Sequence, residues 1–414
     1  MQCGKPKTLG RAIGVHPGAG SESVPDGEVE GFKKMDFNLS LEQEILKNSV
    51  RAFIVKNCPR SYARELDQKK EFPHALCKKI ADLGWYGLPV PEAYGGAGGN
   101  LMDVALVLEE LAYGMLGLAQ GVALAWLFLV DALIRYGTED QKKDYLPRIA
   151  KGDLRVAFAI TEPDAGTDAF SIRSFASFAN GKFILNGNKT FITGAGVADL
   201  LIVVTRTKKG SVGKEGISVL LVDPRSPGVE IRRLSSMGRW SVGTYEVFFG
   251  DVEVAEENLL GKLDEGFNNV LEILIRERVC SAALSVGNAQ AAVDDALKYS
   301  QERRQFGRPI SKFQSIQFKF ARMQTSVDTA RLLTYRAAWL VDQGMPAKKE
   351  ASMAKFTSAE TWMKVADEGL QILGGYGYMT EYDMERYFRD AKAASIAGGT
   401  VELQLMNIAS EMGI

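Results

Sequence analysis

Glu277 is the residue of this sequence whose surroundings best suit acid–base chemistry. On a helix, its neighbours one and two turns away are almost wholly apolar; they are Val270, Ile273, Leu274, Cys280, Ser281 and Leu284. Arg276 has Glu272 four residues before it as a local partner, whereas Glu277 has none. A carboxylate without a partner on a buried helix face has a raised pKa, which suits a general base. The alternative is a salt bridge to an arginine from another helix.

Two other stretches could bind a polyoxygenated or ring-nitrogen ligand. The first, at 158–168, reads Phe-Ala-Ile-Thr-Glu-Pro-Asp-Ala-Gly-Thr-Asp. It offers the hydroxyls of Thr161 and Thr167, and Gly166 has no Cβ to keep a ligand away from the main chain. A plain turn explains the same cluster of Gly, Pro and Asp. The second, at 188–196, reads Asn-Lys-Thr-Phe-Ile-Thr-Gly-Ala-Gly, follows a strand and ends in glycines. Neither stretch defines a site alone.

Together the two stretches resemble the acyl-CoA dehydrogenase family, the first its leading signature and the second its flavin-stacking segment. Two more motifs follow in the family's order, Arg-Arg-Gln-Phe-Gly-Arg-Pro from Arg303 and Gln-Ile-Leu-Gly-Gly-Tyr-Gly from Gln371. The resemblance runs from about Met35 to the C-terminus. It implies an enzyme that uses FAD to oxidise an acyl-CoA to the trans-2-enoyl-CoA, with a base taking the C2 proton and flavin N5 taking hydride from C3. It also implies a homotetramer, with an electron-transfer flavoprotein as electron acceptor.

The resemblance further implies which residues hold FAD. Those placed around the flavin are Phe158, Ile160, Thr161, Thr167, Phe191 and Thr193. Phe191 would lie against the isoalloxazine ring and Thr193 near N5. Those placed on the ADP half of a neighbouring subunit's FAD are Arg303, Phe306, Gln314, Gln371 and Gly375. Thr400 and Glu402 would close over the cofactor. For a lone aromatic such as Phe191 or Phe306 the alternative is core packing.

The catalytic base departs from the pattern of many relatives, which carry it in a C-terminal Glu-Gly-Thr. This chain has Gly-Gly-Thr at 398–400, so no carboxylate lies there. A second lineage, resembling isovaleryl- and long-chain acyl-CoA dehydrogenases, places its glutamate on an earlier helix before an arginine, and Glu277 with Arg278 occupies that place. The substrate contacts that the resemblance implies are Thr167, Arg278, Gly398 and Gly399. The Gly398 N–H would donate to the thioester carbonyl.

Several alternatives stay open on the sequence. The Gly-Gly-Thr ending and the position of Glu277 also resemble crotonobetainyl-CoA reductases. The same fold could oxidise an acyl or aminoacyl group on a carrier protein, reduce an enoyl-CoA, or serve as a catalytically inactive assembly subunit. A second departure lies at 237–246, where Trp240, Val242 and Gly243 stand at the family's Arg, Ser and Asp positions. The sequence does not assign acyl chain length, branching or direction.

Composition narrows the class of protein. A chain of 414 residues with 46% hydrophobic and 24% charged residues is typical of a globular protein of two or three domains. A net charge of −1 favours neither nucleic acid nor an anionic membrane as a partner. Two histidines and four scattered cysteines suggest no metal site and no disulfide frame. The most apolar run, 116–130, is short for a membrane span and predicts a buried helix.

The elements that must position these residues change type twice along the chain. Residues 1–34 are rich in Gly, Ser and Pro and predict a flexible leader, with the cytoplasm as compartment, or the mitochondrial matrix if the leader is a targeting segment. The predicted domains are helical at 35–155, an antiparallel β-barrel or sandwich at 156–265, and a four-helix bundle at 266–414. The fold class is therefore α+β. The predicted helices are 40–57, 72–84, 101–113, 118–136, 139–150, 266–302, 311–343, 347–373, 383–392 and one after Thr400. The predicted strands are 182–185, 200–205, 217–222, 229–234 and 245–249.

Overall fold

The computed structural model describes residues 38–414, apart from the side chains of residues 268 and 269. Residues 40–414 form one compact unit. The leader expected at 1–34 lies outside the described residues. The cellular compartment, which depends on that leader, stays a prediction.

Seven helices occupy the first part of this unit. They are α1 (Leu41–Asn57), α2 (Arg60–Lys69), α3 (His74–Asp82), α4 (Leu101–Gly114), α5 (Leu116–Ala125), α6 (Asp131–Tyr136) and α7 (Glu139–Ala150). Ser40 caps α1 in a capping box, because its hydroxyl accepts the Gln43 N–H and the Gln43 side chain accepts the Ser40 N–H, both at 3.2 Å. The sequence did not predict α2. Its residues are mostly polar or charged, and its apolar face is limited to Tyr62, Ala63 and Leu66.

The most apolar stretch of the described chain is a core helix. A π-helical turn (Trp126–Val130) joins α5 to α6. The segment Leu116–Tyr136 is long and apolar enough to cross a membrane, but 78% of its most apolar window is buried inside the protein. The prediction of a buried helix is confirmed.

A single sheet follows. Its strands are β1 (Val156–Ala159), β2 (Phe175–Ala179), β3 (Lys182–Thr193), β4 (Leu200–Arg206), β5 (Ile217–Val222), β6 (Val229–Arg233), β7 (Thr244–Ala255) and β8 (Leu259–Leu260). The order is β6-β7-β3-β2-β4-β5-β8, with β1 beside β4. Most pairings are antiparallel, as predicted, but β1 runs parallel to β4 and β2 meets β4 in parallel at one residue pair. Buried side chains of β1–β5 and β7 form their own apolar cluster, separate from the main core.

Strand β3 is longer than the sequence predicted. The prediction ended at residue 185, yet the strand continues to Thr193 through irregular pairing with β7 near Gly187 and again between Lys189 and Ile192. The stretch 188–193 is therefore part of a strand and not a loop after it. The second irregularity leaves Phe191 at φ +61°, a left-handed conformation that is rare for a bulky residue.

The last part of the chain is helical again, which completes the predicted α+β order. The helices are α8 (Gly266–Glu302), α9 (Gln314–Asp342), α10 (Lys348–Leu373), α11 (Met384–Ala394) and α12 (Val401–Glu411). A small hairpin of β9 (Arg304–Gln305) and β10 (Arg308–Pro309) separates α8 from α9. The three long helices pack pairwise, and both α11 and α12 pack on α10. The predicted bundle thus contains three long and two short helices, and α4 packs on its outside against α8.

Candidate active site

Glu277 lies on α8 with only 7% of its surface exposed. Its Oε2 atom has no hydrogen-bond partner, and no salt bridge joins it to a lysine or arginine, among residues 38–414. Burial raises the pKa of Glu277 above its ordinary value, although three nearby cations oppose that shift. The alternative of a direct salt bridge to an arginine from another helix is therefore wrong, and the prediction of an unpaired buried carboxyl is confirmed.

The neighbouring ion pair differs from the expected one. Arg276 does not pair with Glu272; its Nε lies 3.2 Å from Oδ1 of Asp131 at the start of α6. Glu272 instead accepts a hydrogen bond from the Tyr136 hydroxyl and lies 3.5 Å from Arg135. Helix α6 supplies the partners of both residues, which periodicity along α8 alone could not show.

Gly398 packs directly on the Glu277 carboxyl. It has φ +67°, and a Cβ at this position would touch Oε1 and lie 2.9 Å from both Cδ and Oε2 of Glu277. Within the part of the chain that the structure describes, the N–H groups of Gly398 and Gly399 donate no hydrogen bond. Their carbonyls accept hydrogen bonds from Nε2 of Gln404, at 3.4 and 3.1 Å. The turn is thus held by its carbonyls, while the N–H groups of Gly398 and Gly399 stay free among the described residues.

Thr400 and Glu402 begin α12 directly after this turn. The Thr400 hydroxyl caps the helix by accepting the Leu403 N–H at 3.3 Å. The Glu402 side chain is exposed. Their predicted role of closing over a cofactor stays a prediction, but the structure places both next to Gly398.

Among residues 38–414, three cations act electrostatically to lower the pKa of Glu277, and the sequence singled out only one of them. Arg278 was predicted as a substrate contact; it is 8% exposed and its Nε is unpartnered among the described residues. Arg239, from the segment between β6 and β7, also has a buried Nε without a partner, and its backbone N–H donates to Asp390 at 2.5 Å. Lys355 on α10 is 1% exposed. Burial lowers the pKa of both arginines below the ordinary value and that of Lys355 to about 8.

Of the two missed cations, Lys355 left a signal in the sequence. Lys355 has small buried residues three and four positions away on either side, Ala351, Ser352, Ser358 and Ala359. The helical-face test that finds Glu277 also finds this lysine. Arg239 precedes Trp240, the residue at the family's arginine position, whose ring stacks under the Arg389 guanidinium at 3.9 Å.

A buried ion pair fixes the stretch 158–168, the first of the two that were predicted to bind a ligand. Lys189 on β3 is 0% exposed, and its Nζ donates to Oε1 of Glu162 at 2.7 Å and to the Ile160 carbonyl at 3.0 Å. The Glu162 carboxyl also accepts the N–H groups of Arg173 at 2.6 Å and Ser174 at 2.9 Å. Burial would raise the pKa of Glu162, but Lys189 and these donors hold it below the ordinary value. The sequence offered no signal for this pairing of residues 27 positions apart.

The groups predicted around the flavin lie on this fixed framework. Thr161 accepts the Thr190 N–H through its carbonyl at 2.9 Å, which joins the loop to β3. The turn at 162–165 closes by reciprocal backbone hydrogen bonds, so the plain turn is present as well. Thr167 is exposed, and a Cβ at Gly166 would meet no atom within 4 Å. Among the described residues, the hydroxyls of Thr161, Thr167 and Thr193 make no hydrogen bond.

The predicted aromatic site residues Phe158, Phe191 and Phe306 differ in how far they are buried. Phe158 on β1 is partly buried and stacks on Phe128 of the π-helical turn, with ring centroids 4.3 Å apart. Phe191 is 66% exposed and Phe306 is 93% exposed. Core packing, the usual explanation for a lone aromatic, is therefore wrong for both exposed rings within this chain.

The residues predicted on the ADP side form a second group at the ends of the long helices. A cleft of about 470 Å³ is lined by Arg303, Gly374, Gly375 and Tyr376 together with apolar side chains of α10 and its surroundings. Phe306 is on the hairpin between α8 and α9 at φ +50°. Gln314 begins α9 and Gln371 lies in the last turn of α10, both exposed. The cleft unites Arg303 and Gly375 but not Phe306, Gln314 or Gln371.

Fold and site together define the class. Three domain families match in order: the acyl-CoA dehydrogenase N-terminal domain over residues 40–153, the middle domain over 157–252 and the C-terminal domain over 264–413. The chain belongs to the acyl-CoA dehydrogenase family, whose members are FAD-dependent oxidoreductases acting on CH–CH groups.

Individual relatives span nearly the whole chain. A caffeyl-CoA reductase–Etf complex subunit from Acetobacterium woodii is 38% identical, over 89% of this chain and 97% of its own. The structure of butyryl-CoA dehydrogenase from Megasphaera elsdenii has a TM-score of 0.88 at 36% identity, covering 92% of this chain and 100% of its own. A glutaryl-CoA dehydrogenase from Mycobacterium smegmatis in complex with FADH2 has a TM-score of 0.84 at 27% identity, covering 90% and 95%.

The residues present fit FAD. Free hydroxyls at 161, 167 and 193, open space above Gly166 and an exposed Phe191 ring suit the polar edge and the flat face of a flavin. The exposed Arg303 beside the Gly374–Gly375 backbone suits a phosphate. Within residues 38–414 no cluster of three His, Cys, Asp or Glu residues could hold a metal ion.

Proposed function

We propose that this chain catalyses the FAD-dependent α,β-dehydrogenation of an acyl-CoA thioester to the trans-2-enoyl-CoA, with Glu277 as the base. The observation that carries the proposal is the contact between an unpaired, buried Glu277 carboxyl and the Gly398 turn with its free N–H groups. A thioester carbonyl bound to those N–H groups would bring its C2 proton next to the carboxylate.

The residues of the chain divide the work. Glu277 takes the proton from C2, and its unpartnered Oε2 is the atom available to receive it. The Gly398 and Gly399 N–H groups bind the carbonyl oxygen and stabilise the negative charge that develops there. Arg278 and Arg239 supply positive charge that acts on Glu277. FAD, when bound, supplies the acceptor for the hydride that leaves C3. Thr193 holds its reactive edge and Phe191 its ring face in this proposal.

The ADP-side residues are proposed to serve a neighbouring subunit, which makes the active protein a homotetramer. Phe306 at 93% exposure and the open cleft beside Arg303 support this assignment. Arg303→Ala is expected to lower FAD retention and tetramer content together, measured by absorbance and light scattering. Arg225→Ala, which removes an exposed arginine paired with Asp223 in its own loop, is the matched control. A variant at 303 with full FAD occupancy in a monomer would contradict the shared site.

Electrons are proposed to leave through an electron-transfer flavoprotein. The resemblance to an Etf-complex subunit supports this partner class. Reoxidation of the reduced enzyme by a purified electron-transfer flavoprotein, compared with NAD⁺ alone, tests it. Faster reoxidation by NAD⁺ would contradict the proposal.

The reverse reaction is a second candidate, favoured by the similarity to a caffeyl-CoA reductase subunit. Glu277 would then donate its proton to C2 of an enoyl-CoA, and a raised pKa suits a proton donor as well as a base. Both directions need the same residues, so geometry does not separate them.

Anaerobic spectroscopy of the flavin tests the function and its alternatives. Oxidised enzyme is titrated with a panel of acyl-CoAs, and reduced enzyme with the matching enoyl-CoAs. Bleaching by acyl-CoA supports the dehydrogenase, and faster reoxidation by enoyl-CoA supports the reductase. A response only to acyl or aminoacyl groups on a carrier protein identifies that substrate class. No response to any thioester identifies a catalytically inactive flavoprotein.

A further inference from the structure

Lys355 is a buried cation that the proposed reaction does not use. It lies in the middle of α10 with 1% of its surface exposed. Its Nζ makes one hydrogen bond among the described residues, donating to the Ala394 carbonyl at 2.7 Å. A buried ammonium with a single neutral acceptor is costly to desolvate, so its position needs a compensating charge.

The charges around Lys355 include one anion. Helix α8 packs along α10, and the charged groups that act electrostatically on Lys355 are Glu277 and Arg278 on α8 and Arg239 from the segment between β6 and β7. Asp390 on α11 accepts the backbone N–H of Arg239, and Cys280 lies three residues after Glu277 on α8. Lys355 and Glu277 form no direct salt bridge within residues 38–414. The ammonium therefore acts on the carboxylate through space and leaves its oxygens free.

The hydrogen bond of Lys355 connects it to the segment before the Gly398 turn. Ala394 is the last residue of α11, and the chain continues from it into the turn that contains Gly398. Backbone bonds from Ala397 to the Ala393 carbonyl and from Val401 to the Ser395 carbonyl keep this segment short and closed. The Lys355 side chain thus binds the end of α11, from which the chain enters the Gly398 turn, and its charge also acts on the Glu277 carboxylate.

We propose that Lys355 is a positioning residue that sets the charge state of Glu277 through its ammonium and fixes the Gly398 turn through the Ala394 carbonyl. The inference rests on the proposed function. Removing the positive charge leaves Glu277 with two cations in place of three, so its protonated form gains stability. An arginine at the same position would keep the charge.

Stopped-flow flavin bleaching by an acyl-CoA is measured across pH for the wild type, Lys355→Met, Lys355→Arg and Lys319→Met. Lys319→Met is the matched control. Lys319 is on α9 and pairs with Glu368 on α10, the helix that carries Lys355, so the variant removes a lysine charge next to this helix without involving Glu277. The acid limb of the profile reports ionisation of the base. Lys355→Met is expected to move this limb upward by about one pH unit. Lys355→Arg and Lys319→Met are expected to leave it in place. An unmoved limb in Lys355→Met, or an equal shift in Lys355→Arg, overturns the proposal.

A measurement without substrate separates this inference from the proposed function. The difference in melting temperature between Glu277→Gln and its parent is followed over pH, once in the wild-type and once in the Lys355→Met background. The pH at which this difference changes is expected to rise by about one unit without Lys355. The shift appears even if no thioester reacts, and its absence overturns the role of Lys355 alone. If Lys355→Met does not fold, recovery of the double variant Lys355→Met with Glu277→Gln supports the charge pairing, and failure of both overturns it.

Discussion

Among residues 38–414, two fully buried lysines, Lys189 and Lys355, each act on a buried glutamate, and the two combinations differ in whether the charged groups touch. Glu162 and Lys189 touch at 2.7 Å, and both oxygens of the carboxylate accept hydrogen bonds. Glu277 and Lys355 do not touch, and Oε2 of Glu277 is unpartnered among the described residues. Both lysines have a pKa lowered to about 8 by burial. The two carboxyls shift in opposite directions, that of Glu162 below the ordinary value and that of Glu277 above it.

Both glutamates are 7% exposed, and they differ in the hydrogen bonds that their carboxyls accept. A carboxylate with all its donors in place is fixed in one charge state and one position, which suits the framework beneath a cofactor. A carboxylate that faces cations without touching them stays able to exchange a proton, which suits a base. Each of the following predictions tests whether this division between a structural and a chemical glutamate holds.

The largest effect is expected for Glu277→Gln. The amide keeps the size and packing of the side chain but cannot accept the C2 proton, so flavin bleaching should slow by about 10² to 10⁴-fold. Stopped-flow absorbance with an acyl-CoA measures the rate, and circular dichroism measures the melting temperature. The variant should stay yellow and fold normally. An active variant with a lowered melting temperature would instead show that Glu277 is structural.

The sequence allowed Glu277 to be predicted as a chemical residue, but it did not allow Glu162 to be predicted as a structural one. Glu277 stands out because its helical neighbours are apolar, and the same test applies to Lys355. Glu162 and Lys189 lie 27 positions apart, in a loop and a strand, so no periodicity links them. The order of helices and strands followed from hydrophobic patterns, but β1, β2 and β8 were not predicted; in β2 only Ala176 is buried. The parallel pairing of β1 with β4 depends on sheet topology, which local sequence patterns do not predict.

The second prediction concerns the structural glutamate. Glu162→Gln leaves the Lys189 ammonium buried without a counter-charge, so the free energy of unfolding should fall by about 3–5 kcal/mol. FAD retention should fall with it, since the pair fixes the Ile160 carbonyl and the turn that follows. Urea denaturation and the flavin-to-protein absorbance ratio measure the two effects. Glu230→Gln, which breaks the exposed pair with Arg232 on the same sheet, should change neither. Equal stability of Glu162→Gln and Glu230→Gln would remove the structural role.

The third prediction moves the base from α8 to the Gly398 turn. In Glu277→Ala with Gly398→Glu, the new Cβ enters the space that the Glu277 carboxyl occupied, and part of the bleaching rate should return. Recovery should be incomplete, because a non-glycine residue at φ +67° costs about 1–2 kcal/mol. Glu277→Gln with Gly398→Glu is the control, since the retained amide blocks that space. Equal rates in the two double variants would show that the positions do not share one space.

The last prediction uses the opposite pKa shifts, and its effect is the smallest, at most about 1.4 kcal/mol per pH unit for one group. Because the folded pKa of Glu277 lies above its unfolded value near 4.5, the folded state binds more protons between the two values. Glu277 therefore stabilises the protein in acid and loses that contribution as the pH rises through this window. The melting temperature of Glu277→Gln minus that of the wild type should increase with pH from about 4.5 upward and then level off.

Glu162 should show the reverse. Its folded pKa lies below the unfolded value near 4.5, so its contribution is complete above that pH and disappears as the pH falls through the folded pKa. The deficit of Glu162→Gln relative to the wild type should then be full at neutral pH and shrink in acid. Subtracting the wild-type melting temperature at each pH removes the titration of all other groups that the substitutions leave unchanged. If both difference curves fall as the pH rises, both glutamates are paired in solution, and the division between a structural and a chemical carboxyl fails.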